Sequence, residues 1–355
     1  MLPRQRVLTG DTPTGRLHLG HYVGSIENRL ALQGRYDCYF LLANMHAFTT
    51  RAEKPAEIRR DTIEIVKDWI ACGIDPNVST VVLQTEVPAI AELSWFFAML
   101  IPFNRVMRNP TLKTEIESKG LGDTYPFGFP LYAVGQCADI LAFRPKYIPV
   151  GEDQVAHIEM CREVARRFDI LYCGVDSHAE DADFEKLGGV FPIPEALVGK
   201  VGRLVGIDGK QKMSKSLGNA IFLSDSPKEI KKKVGQIYTG RQSMTEPGDI
   251  NNALFQYVRC FIKDEARVRE LEDRYSRGDN IGDGHVKAEL TEAIVALTEP
   301  IRARRAEYEK PGGDDLVIDI IRTGTQRANV LAEETLWRAK EAMKLGFFRR
   351  RVDLA

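Results

Sequence analysis

The chain has 355 residues, 44% of them hydrophobic and 28% charged, with a formal net charge of −1. That suits two domains, or one large domain with an appendage, and the charged fraction is ordinary for a soluble globular protein. No run of 18 or more apolar residues occurs, which excludes a membrane span, and the N-terminus enters strand-like sequence with no apolar signal core, so a cytoplasmic address is expected.

In chain order, residues 6–9 read as a short strand that ends in a Gly/Pro-rich loop at 10–15. Leu19, Val23, Ile26 and Leu30 then recur at the 3.6-residue spacing of a helix. Residues 38–43 form a second strand, Pro55 opens a helix with Ile58, Ile65, Trp69 and Ile70 on its buried face, and 81–83 form a third strand. This βαβα order predicts an α/β, Rossmann-like parallel sheet over 1–202. Residues 89–143 turn mostly helical, broken by a Gly/Pro-rich stretch at 120–130, and read as an insertion on the sheet domain. Residues 147–150 restore a strand, and a helix follows with Val155, Ile158, Cys161, Val164 and Phe168 on one face. The acidic, Gly-rich stretch 174–190 reads as a surface excursion. Residues 203–240 form a loop and linker in which Pro227 opens a helix, and 241–355 read as a helical C-terminal domain.

Six cysteines, Cys38, Cys72, Cys137, Cys161, Cys173 and Cys260, form no CxxC pair. They argue against a zinc site, an iron–sulfur cluster or a disulfide framework, and most read as small buried hydrophobes. The near-neutral total hides an asymmetry. Residues 200–241 hold ten Lys or Arg against Asp208, Asp225 and Glu229, ten minus three giving a local +7. Such a stretch can meet phosphates, or form a solvated basic face.

Two segments carry phosphate chemistry. The string TPTGRLHLGH at 12–21 lies between a strand and a helix, where nucleotides bind at the carboxyl edge of a parallel sheet. Glycines and helix N–H groups there let phosphate approach the backbone. A capping turn would account for the glycines and threonines, but not for His18 and His21 beside Gly20. A metal pair would need a third ligand that the local sequence lacks. The second segment, KMSKS at 212–216, places Lys212 and Lys215 three apart with small hydroxyl residues between. Ammonium groups on a mobile loop can clasp a leaving pyrophosphate.

HLGH at 18–21 and KMSKS at 212–216 resemble the paired HIGH and KMSKS signatures of class I aminoacyl-tRNA synthetases. VGEDQVAHIE at 150–159, with Arg162 and ARRF at 165–168, narrows the resemblance to the tryptophanyl type, and similarity covers nearly the whole chain. The resemblance implies that Thr12, Pro13, Thr14, His18, Gly20 and His21 contact ATP and that Gly151, Glu152 and Asp153 take the ribose. An acidic N-cap would also explain that last turn. It further implies Leu204 beside the adenine and Lys212, Met213, Ser214, Lys215 and Ser216 around the phosphates, with Lys113 reaching ATP. Catalysis would rest on Lys212, Lys215 and His21. Asp139 would accept the indole N–H, with His46, Tyr132, Gln136 and Gln154 lining the amino-acid pocket. Asp139 could instead cap its helix or pair with Arg144, being costly to bury unpartnered. Gln136 departs from the apolar residue of many relatives.

The implied reaction is activation of tryptophan with ATP, as its Mg²⁺ complex, to Trp-AMP and pyrophosphate, then transfer to tRNA(Trp). The implied partners are tRNA, L-tryptophan and a second copy of the chain in a symmetric dimer, with the C-terminal domain on the anticodon. A tyrosyl-tRNA synthetase shares the fold and both signatures. A synthetase paralogue with an accessory protein partner is a further alternative. A small-metabolite nucleotidyltransferase would leave the helical C-terminus idle.

Overall fold

The computed structural model describes residues 4–354 apart from 119, 123, 200–203, 242 and 244. The first residues of the basic stretch, Lys200 and Arg203, thus lie outside the described residues. Five parallel strands form one sheet: β1 (Arg6–Asp11), β2 (Asp37–Leu42), β3 (Thr80–Leu83), β4 (Tyr147–Val150) and β5 (Glu195–Val198), in the order β3-β2-β1-β4-β5. β2 is apolar on both faces, with Cys38, Tyr39, Phe40, Leu41 and Leu42 all buried, as expected of a parallel strand covered on each side. Alternate side chains divide between two cores. Val7, Phe40 and Val81 face one, and Leu8, Leu41 and Val82 the other.

A helical run of Leu19–His21 (α1), a wide π turn at Tyr22–Ile26, and Glu27–Gln33 (α2) leads from β1 to β2. Asn44–Arg51 (α3) and Pro55–Cys72 (α4) connect β2 to β3. The predicted helical insertion comprises Pro88–Ala98 (α5), Phe103–Met107 (α6), Pro110–Ser118 (α7) and Gly128–Leu141 (α8). Val155–Phe168 (α9) follows β4. Pro227–Gly235 (α10) opens at Pro227 as predicted, with Ser226 and Glu229 in a reciprocal capping box. Ala253–Phe261 (α11), Glu265–Arg277 (α12) and Asp283–Glu307 (α13) form the helical C-terminal part.

The last helix, Gly313–Ala342 (α14), returns to the sheet. A Cβ on Gly324 would stand 2.1 Å from the Val81 carbonyl oxygen, so only glycine permits this approach. The adjacent Thr325 hydroxyl accepts the Leu83 N–H at 2.9 Å, which covers the edge strand β3. The expected surface excursion at 174–190 keeps its acids outside but buries Val175, Phe184 and Val190 in the second core. Asp181 holds it down, accepting from Arg162 and Arg166 of α9 at 2.6 Å.

Strand order reverses between β1 and β4, and these two pair only at Val7↔Tyr147. β1 and β2 pair at every residue from Arg6 to Asp11. Beyond Val7 the two central strands therefore part, opening a crevice at their carboxyl ends, where open α/β sheets bind ligands.

Candidate active site

A cavity of about 890 Å³ occupies that crevice, and its lining includes Asp11, Thr12, Thr14 and His21 from the first loop, Gly151 and Gln154, and Lys212. Tyr132, Gln136 and Asp139 also line it, spaced i, i+4, i+7 on one face of α8.

Backbone hydrogen bonds tie the first signature segment to the stretch that follows the second. Leu19 N–H donates to Ile221 at 2.9 Å and Leu223 N–H to Leu17 at 3.0 Å, around an antiparallel bridge of His18 with Phe222. Residues 204–213 form a tight hairpin, with Met213 N–H donating to Leu204 at 3.0 Å. The loop that follows hangs on buried Asn219, whose amide oxygen accepts Ser214 N–H at 2.8 Å and whose nitrogen donates to Asp208 at 2.9 Å. The first loop is clamped from α3 and α4. Arg51 donates to the Pro13 carbonyl and pairs with Asp61, and Asp68 accepts the Leu17 N–H at 2.6 Å.

His18 and His21 stack with ring centroids 3.7 Å apart. Burial lowers His18 to about 3 and His21 to about 4, and the nearby Lys212 ammonium adds to both shifts. Both are neutral at physiological pH. His21 Nδ1 accepts the His18 N–H at 3.2 Å, so its proton sits on Nε2, a donor suited to a phosphate oxygen.

At the deep end, Asp139 is fully buried and pushed up to about 7 by desolvation. Its alternative partner is engaged elsewhere, since Arg144 donates to Glu185 at 2.6 Å. Instead the Gln84 amide donates to both Asp139 oxygens, at 2.7 and 2.9 Å. The other end of that amide accepts Met45 and His46 N–H groups at 3.0 and 3.1 Å, which fixes its orientation. Both hydrogens of the Gln84 nitrogen cannot satisfy a carboxylate with about four lone-pair sites, so Asp139 keeps acceptor capacity for a ligand.

The family described as "tRNA synthetases class I (W and Y)" matches residues 3–299. The tryptophan–tRNA ligase of Clostridium longisporum is 40% identical over 98% of this chain and 99% of its own length. That of Treponema pallidum (strain Nichols) is 42% identical over 96% and 97%. The tryptophanyl-tRNA synthetase of Campylobacter jejuni, solved with ADP and tryptophan, superposes with a TM-score of 0.78 at 31% identity, over 96% of this chain and 100% of that one. The chain belongs to the tryptophanyl-tRNA synthetases.

The sequence-derived site of this synthetase is brought together only in part. Thr12, Thr14, His21, His46, Tyr132, Gln136, Asp139, Gly151, Gln154 and Lys212 line one cavity. Pro13, His18, Leu204 and Met213 are buried but do not line it, and Gly20 lies between the His18 ring and Met213. Glu152 and Asp153 are exposed at the rim, where an Asp153 oxygen stands 2.8 Å from the place of a Gly151 Cβ. Ser214, Lys215 and Ser216 stand outside the lining on the loop. Lys113 is exposed on α7 and absent from the cavity; the α7 residue that reaches it is Glu115. Sequence reasoning missed Gln84, Asn219 and Arg29. Arg29 is buried and pairs with Asp11 at 2.8 Å under the first loop. Gln84 follows the end of β3 directly, and that position at a carboxyl edge is the signal that could have found it.

Proposed function

We propose that the chain activates L-tryptophan with ATP, giving Trp-AMP and pyrophosphate, and transfers the amino acid to tRNA(Trp). The observation that carries the choice of amino acid is Asp139, a buried acceptor held by Gln84 in a cavity also lined by Thr12, Thr14 and His21 of the first signature segment and Lys212 of the second. Indole N–H is a donor only, which suits such an acceptor. The tryptophan carboxylate is ionised at neutral pH and needs no general base to attack the α-phosphorus. Positioning and charge stabilisation then supply the acceleration. In this reading His21 and the backbone of the first loop hold the triphosphate, which arrives as its magnesium complex. Lys212 and Lys215 neutralise the departing pyrophosphate, and Gly151 with Asp153 takes the ribose. ATP–pyrophosphate exchange with each of the twenty amino acids tests the assignment, and exchange driven best by tyrosine would overturn it.

Asp139 also gives a pH signature. Its carboxylate accepts best when ionised, and a group near pH 7 is about one-tenth ionised one unit below. The KM for tryptophan is expected to rise about tenfold from pH 8 to pH 6, with the KM for ATP steady within about threefold. Asp139→Ala should raise the tryptophan KM at least about tenfold at pH 8 and remove the slope. A selective ATP defect would move Asp139 out of the amino-acid pocket.

We further propose that the enzyme works in the cytoplasm as a symmetric dimer. No helix among the described residues is long and apolar enough to cross a membrane. Trp95 on α5, Met99 just after it and Phe103 at the start of α6 are 63%, 67% and 61% exposed, apolar surface that a second copy would bury. Sedimentation of the intact chain as a monomer at micromolar concentration would exclude this. Helices α11–α13 are proposed to meet the anticodon.

A further inference from the structure

The short turn that carries Gln84 is held at both ends by the last helix. It spans Gln84–Glu86 and leaves the edge strand β3 directly. At its entrance the Leu83 N–H donates to the Thr325 hydroxyl at 2.9 Å. At its exit the Asn329 amide nitrogen donates to the Glu86 carbonyl at 2.8 Å. A carbonyl can only accept, which fixes the Asn329 amide with its nitrogen on Glu86. Thr325 and Asn329 are both buried and stand one helical turn apart on α14. Among the described residues the Asn329 oxygen meets no donor, so the bond to Glu86 has to offset the burial of the whole amide. The two contacts belong to a line that begins with Gly324 on Val81 and ends with Lys340 paired to Glu92 of α5. Helix α14 thus follows residues 81–92 in the same order, and none of its residues lines the cavity.

What the turn presents is the Gln84 side chain. Its amide oxygen takes the Met45 and His46 N–H groups of α3, and its nitrogen reaches both Asp139 oxygens on α8. All four bonds have ordinary lengths, so a shift of roughly half an ångström in the turn would weaken them. Gln84 also draws Asp139 toward its charged form: burial raises the acid, and the Gln84 hydrogen bond lowers it. Among the described residues, no charged group on α3, α5, α6 or α9, the helices packed against α8, adds to these two influences. The acceptor offered to an indole N–H therefore depends on where the turn holds one amide.

We propose that Thr325 and Asn329 of α14 are positioning residues for tryptophan binding: by pinning both ends of the Gln84 turn, they hold the amide that orients Asp139. This deepens the tryptophan-activation reading and rests on it. Helix α14 is thereby given a part in the choice of amino acid, apart from the anticodon role proposed for α11–α13.

Two near-isosteric variants of the full chain, Thr325→Val and Asn329→Leu, test this in ATP–pyrophosphate exchange. Each should raise the KM for tryptophan about three- to tenfold and leave the KM for ATP within about twofold. With Gln84 displaced, burial lifts Asp139 further. The rise in tryptophan KM on acidification should therefore start about half to one pH unit higher than in the unaltered chain. Thr325→Ser keeps the hydroxyl and should match the unaltered chain. In a Gln84→Ala background neither variant should add to the loss, because residues that act through one group are not additive. A change in urea stability with both KM values and the pH profile unmoved would reduce Thr325 and Asn329 to packing and overturn the proposal. Equal rises in both KM values, or a full further loss on top of Gln84→Ala, would overturn it too. If Gln84→Ala and Asp139→Ala raise the tryptophan KM while the α14 variants do not, the α14 proposal falls alone. If neither raises it, the pocket reading itself fails and the α14 proposal falls with it.

Discussion

Lys215→Ala is expected to lower tryptophan-dependent ATP–pyrophosphate exchange about 100-fold, close to 3 kcal/mol of transition-state stabilisation. The KM for tryptophan should stay within about threefold, because the lysine is asked to act only on charge that builds during the reaction. The geometry supports that division. Lys212 lines the cavity mouth, whereas Lys215 approaches from outside and reaches the first loop. A Cβ built on Gly15 would stand 2.8 Å from the Lys215 ammonium and 3.0 Å from an Asp61 oxygen. Gly15 has φ +90°, so its conformation and its contact both require the missing side chain. The lysine is thereby held beside the first loop by a segment anchored on Asn219. Lys215→Arg should restore little, since a planar fork cannot replace a compact ammonium there. An unchanged exchange rate in Lys215→Ala would remove the residue from the chemistry.

Much of this arrangement was legible in the sequence because its signals are local. Four strands and the two signature segments follow from periodicity and short strings, whereas Tyr132, Gln136 and Asp139 came from the family resemblance. β5 was missed because Glu195–Val198 is a half-exposed edge strand whose apolar run is only Ala196 to Val198. The π turn at Tyr22–Ile26 leaves no compositional trace. Residues that act through distant partners were hidden for another reason. Gln84 looks like an ordinary turn residue until α8 places Asp139 against it, 55 positions later. Lys113 was named because its segment resembles one in which a family lysine reaches ATP, yet the helical phase of α7 turns Glu115, not Lys113, to the cavity. The return of α14 to β3 was equally invisible. It means that a cut after Ile250 would uncover the sheet as well as remove α11–α13, so truncation cannot test the proposed anticodon role of those helices apart from activation.

Arg305→Ala is expected to cost about 3–5 kcal/mol of stability, the range for breaking a buried ion pair by removing one partner. Arg305, on α13, is buried, pairs with Asp68 and Glu64 of α4, and donates to Glu309 at 3.0 Å. Asp68 is fully buried, and desolvation raises it to about 6 despite the guanidinium and the Leu17 N–H that both favour its charge. A carboxyl raised on folding opposes stability as pH climbs through its folded value, and Arg305 limits that cost. Glu64 is held below its ordinary value, its burial outweighed by Arg305 and Lys67. Its contribution is present above the unfolded carboxyl range and is lost on acidification. Both signs agree that removing Arg305 hurts most when the acids are ionised. Urea unfolding should give a larger deficit at pH 8 than at pH 5.5, and Asp68→Asn in the same chain should recover part of it at pH 8. Because Asp68 also holds the Leu17 N–H at 2.6 Å, a folded Arg305→Lys variant should show a raised KM for ATP with that for tryptophan unchanged. A deficit below about 1 kcal/mol, the level of an exposed pair, or one independent of pH, would show that α13 and the first loop are not joined through this cluster.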